Sequence, residues 1–466
     1  METVKNFKLK TLYYVAIILF FLGLGILGPV GIYDDTPTYQ ALSSDRDPFY
    51  GIFLWLFSFL RTFGDDFYFR VIVLIQNGLM AYAGIRLLRF LGKKYNLNGV
   101  WSLLITGCLI APHLLIPVAT TSGMILCNSI LSEGICIPVY LLFFTGLLKA
   151  VFASESIKET VKHGLISFVL ALVLCMSRGQ LQAVLIAWFI VMGFLCFVRK
   201  KKKWLIGVAL LFVAGFFMKS AVNGLYNLGA NGVYTGNTSE SATMLAHAFF
   251  NADLEKEVAF ENPDLQAVYE EIRELLVEYE LNQAYAPKGL IDFVLYYEDC
   301  HDEIKFNHMV VPIHMHARNN GAKPGVETSI RCNEISKELC NELYLQNPGA
   351  LITTYVKLAL AGLVRTVAYL HPVFILFSVL IFSFAALLVI RQFVMTKKEK
   401  SRDCSAAVVM TLTLLLIAGL VFSTSFVTAC ISRYVIYNMS IFYIAFIVLF
   451  KESVWTSFVE KNAVKC

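Results

Sequence analysis

Apolar residues in this chain gather into runs of membrane-spanning length, separated by polar connections. A helix crosses hydrocarbon with about 20 mostly apolar residues. On that measure the pattern predicts spans at Thr11–Tyr33, Phe67–Ile85, Gly99–Val118, Met124–Leu148, His163–Ser177, Gln180–Val198 and Trp204–Met218, then Pro372–Ile390, Cys404–Phe426 and Tyr434–Phe450. Pro112 and Pro117 are expected to bend the third, and Glu133 and Pro138 to interrupt the fourth. The stretch 221–350 behaves differently. Asn262 can cap a helix that Pro263 begins, and Leu265, Val268, Tyr269, Ile272, Leu275, Leu276 and Tyr279 recur at helical spacing. This predicts a small, mostly helical domain of its own. No internal repeat is seen.

The connections carry a charge alternation. Lys5, Lys8 and Lys10; Arg86, Arg89, Lys93 and Lys94; Lys149, Lys158 and Lys162; Arg199 to Lys203; Arg391, Lys397, Lys398, Lys400 and Arg402; and Lys451, Lys461 and Lys465 fall on every second one. Basic connections stay in the cytoplasm. Both termini are therefore expected there, and Ile32–Asp66, Ala119–Gly123, Ser177–Gly179, Ala221–His371 and Val427–Arg433 outside. Leu351–Leu370 is apolar but holds Lys357 and Arg365, and counting it as a span would place Lys397 to Arg402 outside. It is read as a helix lying on the outer membrane surface. The opening apolar run ends in no small-residue cleavage site and is read as a retained helix.

Composition agrees. Hydrophobic residues make up 57% and charged residues 16% of 466, far more apolar than a soluble domain. The net charge of +5 conceals an asymmetry: residues 221–350 hold 20 Asp and Glu against 8 Lys and Arg. The expected fold is an all-α polytopic membrane protein of about ten transmembrane helices. A membrane block at 1–220 contains the outer loop 32–66. An acidic extracytoplasmic domain fills 221–350, and the interfacial helix, about three spans and a cytoplasmic tail fill 351–466. Most of the 11 cysteines lie in apolar runs. Cys300, Cys332 and Cys340 lie in the polar domain, where one disulfide or free buried thiols are both compatible with the spacing. No Walker motif, dinucleotide fingerprint or aromatic–basic nucleic-acid surface occurs, and Arg199 to Lys203 reads as a cytoplasmic helix anchor.

Candidate chemistry gathers in the outer connections. Asp34 and Asp35 stand where the first helix leaves the bilayer. Adjacent carboxylates there suit a general base or a metal, or form a solvated helix end. Tyr39, then Asp45–Pro48, follow, and Phe49–Phe63 with Arg61 has the length to lie flat and roof a site. Arg178 and Arg433 sit in short outer turns, either as anion ligands or as snorkelling helix-end cations. Glu133, in an apolar run, is a functional carboxylate or the partner of Arg70 or Arg178. His314 and His316 would share one face of a strand and could bind a metal, but no third ligand follows at a diagnostic spacing. His301 and its neighbours are no stronger, His113 reads as a packing residue, and Asn237-Thr238-Ser239 fits the glycosylation sequon.

These segments, taken in order, resemble the GT-C glycosyltransferases that use lipid-phosphate sugars, such as protein O-mannosyltransferases and aminoarabinose transferases. The resemblance rests on the acidic pair with "DRDPFY", then "SILSEGICIPVYLLFF", "CMSRGQLQAVL", "LQNPGALITTYVKLALAGLVR" and "SRYVIYNMSIFYIAF". The chain lacks the family's prolines after Arg178 and Arg433, and its acidic pair is Asp-Asp where relatives often have Asp-Glu. The resemblance implies an inverting transfer of a hexosyl or pentosyl group from a polyprenyl-phosphate donor to an extracytoplasmic protein, glycan or lipid acceptor. Asp34 would be the base, with Asp35 its partner or a ligand to a divalent cation. Arg178 and Arg433 would bind the donor phosphate, and Glu133, Tyr39, Asp45 and Arg46 would line the site. Two other functions fit parts of the pattern. A polysaccharide polymerase or ligase of the O-antigen type would also place key cations in outer loops, without needing Asp34. A lipid-linked saccharide flippase or transporter would carry inverted repeats and charge at mid-membrane, of which only Glu133 is a hint.

Overall fold

The structure is a computed structural model that describes residues 2–119, 124–153, 157–398 and 403–456. Most of the expected connection Ala119–Gly123, and Lys400, Arg402, Lys461 and Lys465, lie outside those residues. Among the described residues the protein is all helical, with one isolated parallel bridge between Gly31 and Ser129.

Helix α1 (Glu2–Leu27) stops at Gly28 and Pro29, six residues short of the predicted end of the first span. Two short helices follow, α2 (Thr36–Gln40) and α3 (Pro48–Leu56), and a tight turn at Ser58–Phe63 completes the flat segment expected at 49–63. Next come α4 (Asp65–Lys94) and α5 (Gly99–Ala119), which contains Pro112 and Pro117. The fourth predicted span is corrected: residues 124–132 are extended or tightly turned, and α6 (Glu133–Phe152) begins at the carboxylate expected to interrupt it. Then come α7 (Ile157–Cys175), α8 (Gln182–Val198) and α9 (Lys202–Asn231). Helix α9 runs past the expected domain boundary at 220 and ends at Gly232, whose φ of +74° suits a residue without a side chain.

The domain contains α10 (Glu240–Asn251), α11 (Pro263–Glu278), α12 (Leu290–Glu303), a wide helical turn at Ile304–Met309, α13 (Val310–Asn319) and α14 (Val326–Leu343). Asn262 caps α11 through the Asp264 amide at 3.0 Å, and Pro263 takes the first turn as expected. The chain closes with α15 (Pro348–Val367), α16 (Pro372–Lys398), α17 (Ser405–Ser425), α18 (Ser432–Val435) and α19 (Tyr437–Phe450). Cys300, Cys332 and Cys340 are free thiols.

Among the described residues eight helices are long and apolar enough to cross a membrane, and Thr11–Leu27 and Gly99–Leu115 are shorter apolar segments. Helix α7 is not among the eight, since Lys158, Glu159 and Lys162 occupy its first turns. Pro348–Val367 is among them by length and composition, yet domain residues line it from end to end. Gln283 bonds the Ala350 carbonyl and Thr354, Asn251 accepts from Thr354 at 2.6 Å, Lys357 lies 3.7 Å from the Phe293 ring, and Arg365 pairs with Glu298. One core fills the bundle and a second fills the domain, and α15 contributes to both.

The bundle has two chemically distinct ends. At one, Lys94 meets Asp403 at 3.3 Å, Lys451 reaches the Tyr95 carbonyl at 3.0 Å, and Arg199 reaches the Val151 and Ala153 carbonyls. The domain covers the other.

Candidate functional site

The site is built at the domain end, where the loop after α1 folds back across the bundle. Arg70 donates to the Gly25 and Gly28 carbonyls at 2.8 and 2.7 Å, closing the C-terminus of α1. Gly31 then exchanges backbone hydrogen bonds with the 128–130 segment, and the Thr36 hydroxyl donates to the Ile130 carbonyl at 3.0 Å. Farther along, the Phe49 amide donates to the Met176 carbonyl at 3.0 Å, seating α3 on the turn that carries Arg178. Ser44 and Asp45 are gripped by Thr238 and Ser239 from the segment after α9. The Asn237 side chain accepts from Ser239, so the sequon asparagine serves this turn.

Gln76 on α4 fixes the layer beneath. Its amide donates to the Cys127 and Ser129 carbonyls at 3.0 and 3.1 Å and accepts from Tyr50 at 3.0 Å. A Cβ on Gly134 would stand 2.4 Å from the Gln76 amide nitrogen. Gly134→Ala is therefore expected to displace Gln76 from three bonds and to destabilise the protein by about 1–3 kcal/mol. Thermal unfolding of the purified variant checks this, and an unchanged midpoint refutes it.

Above that layer lies a network of guanidinium and carboxylate groups. Glu133, 1% exposed at the start of α6, pairs with Arg178. Its partner is thus the second of the two expected arginines. Arg433, at the start of α18, holds Nε 3.8 Å from Glu133 and a terminal nitrogen 3.9 Å from Asp35. Asp35 is bound more tightly on its other side, by Arg46 at 2.7 Å. Arg46 also donates to Thr38 at 2.8 Å, lies 3.8 Å from Asp45 and packs over the Tyr39 ring at 5.2 Å. The Tyr39 hydroxyl donates to Ser132 at 3.2 Å, and Ser132 donates to Glu133 at 3.3 Å. Burial pushes the Tyr39 phenol up to about 12, with Arg178 opposing, so it stays a proton donor at neutral pH. The Tyr434 ring lies between the arginines, 4.9 Å from Arg178 and 5.2 Å from Arg433.

Of the residues predicted from sequence, Asp35, Tyr39, Asp45, Arg46, Glu133, Arg178 and Arg433 form this one network. Asp34 stands beside it, exposed. His314 and His316 are not on a strand: they lie on α13, where residues two apart diverge around the helix. Among the described residues, no group of three or more His, Cys, Asp or Glu could hold a metal ion. His113 is buried against the edge of Phe21.

Sequence reasoning missed Ser132, Tyr434 and Lys219. Ser132 and Tyr434 were hidden as neighbours of charged residues. Asp47, within the Asp45–Pro48 segment, leads into α3. It is 7% exposed, and burial raises its carboxyl against the pull of Lys219. Lys219 pairs with Glu240 at 3.3 Å. A signal for it existed, because it is the one charged residue between Lys203 and Glu240.

Fold and site together define a multi-pass, all-α membrane protein whose one end holds a guanidinium–carboxylate network under a helical domain. No family model matches the chain, and no curated protein matches it. Among solved structures it is similar to the crystal structure of ArnT from Cupriavidus metallidurans in the apo state, at 12% identity and a TM-score of 0.33 over 95% of this chain and 77% of that one. A TM-score that low leaves function to the site itself.

Proposed function

We propose that the protein is an inverting membrane glycosyltransferase that moves a sugar from a polyprenyl-phosphate carrier to an acceptor on the extracytoplasmic side. The reading rests on Arg433. Its Nε is buried without a hydrogen bond, and its charge stands near 4 Å from two carboxylates without closing on either. A fixed guanidinium with donors to spare suits phosphate oxygens, and Arg178 beside it doubles the charge.

In this scheme the acceptor oxygen attacks the anomeric carbon. The bond from that carbon to the phosphate oxygen breaks, and its electron pair leaves with the lipid phosphate, which Arg178 and Arg433 stabilise. Asp34 takes the acceptor proton. Asp35 anchors Arg46 and limits the reach of Arg433, Glu133 keeps the arginine pair compatible with burial, and Tyr39 and Asp45 line the approach. The domain end faces outward and the basic end, with both termini, faces the cytoplasm, as about ten crossings require.

The test is the lipid that co-purifies with the protein, identified by mass spectrometry, together with donor affinity. The expected finding is a polyprenyl-phosphate sugar, bound about tenfold to a hundredfold more weakly by Arg433→Ala, in keeping with the loss of charge-assisted hydrogen bonds. A protein that neither retains nor binds such lipids is not this enzyme.

A further inference from the structure

The domain brings one more cation to the site. Lys305 lies on the wide turn at Ile304–Met309, a backbone irregularity frequent at functional sites. Its ammonium donates to the Thr243 hydroxyl at 2.9 Å and lies 4.9 Å from the Phe306 ring. Among the described residues no carboxylate forms an ion pair with it. Burial pushes its pKa down, the charge of Arg46 pushes it further, and Asp302, Asp35 and Asp45 oppose. A half-buried ammonium near another cation, with a neutral hydroxyl as its one bonded partner, has donors left for an anion.

Arg178 and Arg433 are balanced by Glu133, and Arg46 by Asp35 at 2.7 Å. Lys305 alone of these cations has no such partner. It also comes from the domain, whereas the other three stand on the bundle and its loops.

We propose that Lys305, with Arg46, forms a second anion subsite, which receives a phosphate or carboxylate group on the part of the substrate facing the domain. That group belongs either to the transferred sugar or to the acceptor. The sugar-transfer reading above supplies the two sources, while the subsite itself rests on the Lys305 geometry.

The test uses the intact protein in nanodiscs with inorganic phosphate as probe, followed by titration calorimetry. Wild type is expected to show two classes of phosphate site. Lys305→Met should remove one class or weaken it at least tenfold, Lys305→Arg should retain it, and Arg433→Met should remove the other. If Lys305→Met leaves both classes intact, the proposal is overturned. If only the Arg433 arm fails, the donor-phosphate reading falls and the Lys305 subsite stands. Sources separate next: a tenfold loss of affinity for the co-purified donor places the anion on the sugar. Unchanged donor affinity with an acceptor KM raised about tenfold places it on the acceptor. Phosphate binding lost without either effect means an adventitious ion only and overturns the proposal.

Discussion

Glu133→Gln is expected to cost about 3–5 kcal/mol of stability, because it strips the countercharge from two arginines at once. Glu133 is 1% exposed and the Arg178 side chain only 14%. The amide that replaces the carboxylate keeps the shape and loses the charge, leaving Arg178 and Arg433 to repel each other around Tyr434. Breaking one side of a buried pair is costlier than removing both, so Glu133→Gln combined with Arg178→Met should recover much of the loss. Chemical unfolding of the three variants in one detergent measures the coupling. Strict additivity would mean that Glu133 and Arg178 are neighbours without a working interaction.

The buried pair also marks how far the sequence could be read. Apolar runs of spanning length marked most of the bundle, because hydrocarbon demands a length and composition that few other environments require. The Asn262–Pro263 start of α11 was equally legible, since a cap and a fixed φ act locally. Residues 124–132 were not. Met124, Ile125, Leu126, Ile130 and Leu131 are as apolar as a spanning helix, and what holds them extended lies far away in sequence, at Gly31 and in the Gln76 amide.

The same limit applied within the site. Glu133 was visible as a carboxylate in an apolar run, but Arg70 and Arg178 were equal partners on paper. The structure decides between them because the Arg70 guanidinium is taken by the Gly25 and Gly28 carbonyls. Lys305 gave no signal, because a lysine in an acidic, polar stretch has the composition of a solvated surface. The role proposed for it depends on the turn that carries it and on Arg46, more than 250 residues earlier.

The second large effect is expected at the acidic pair, where two adjacent aspartates should fail in different ways. Asp34→Asn should lower turnover by about 10²–10⁴, the range associated with removing a general base, while donor affinity stays unchanged. Asp35→Asn should weaken donor binding as well as turnover, because it releases Arg46 from its 2.7 Å bond and removes one of the two carboxylate charges near Arg433. The difference follows from geometry. The Asp35 carboxylate is already occupied by Arg46 at 2.7 Å, whereas the exposed Asp34 carboxylate is open to an incoming hydroxyl. Turnover and donor affinity, measured separately for each variant, decide the assignment. Should Asp34→Asn turn over normally while Asp35→Asn does not, the base is Asp35, and Arg46 and Arg433 must then move away from it before a proton can be taken.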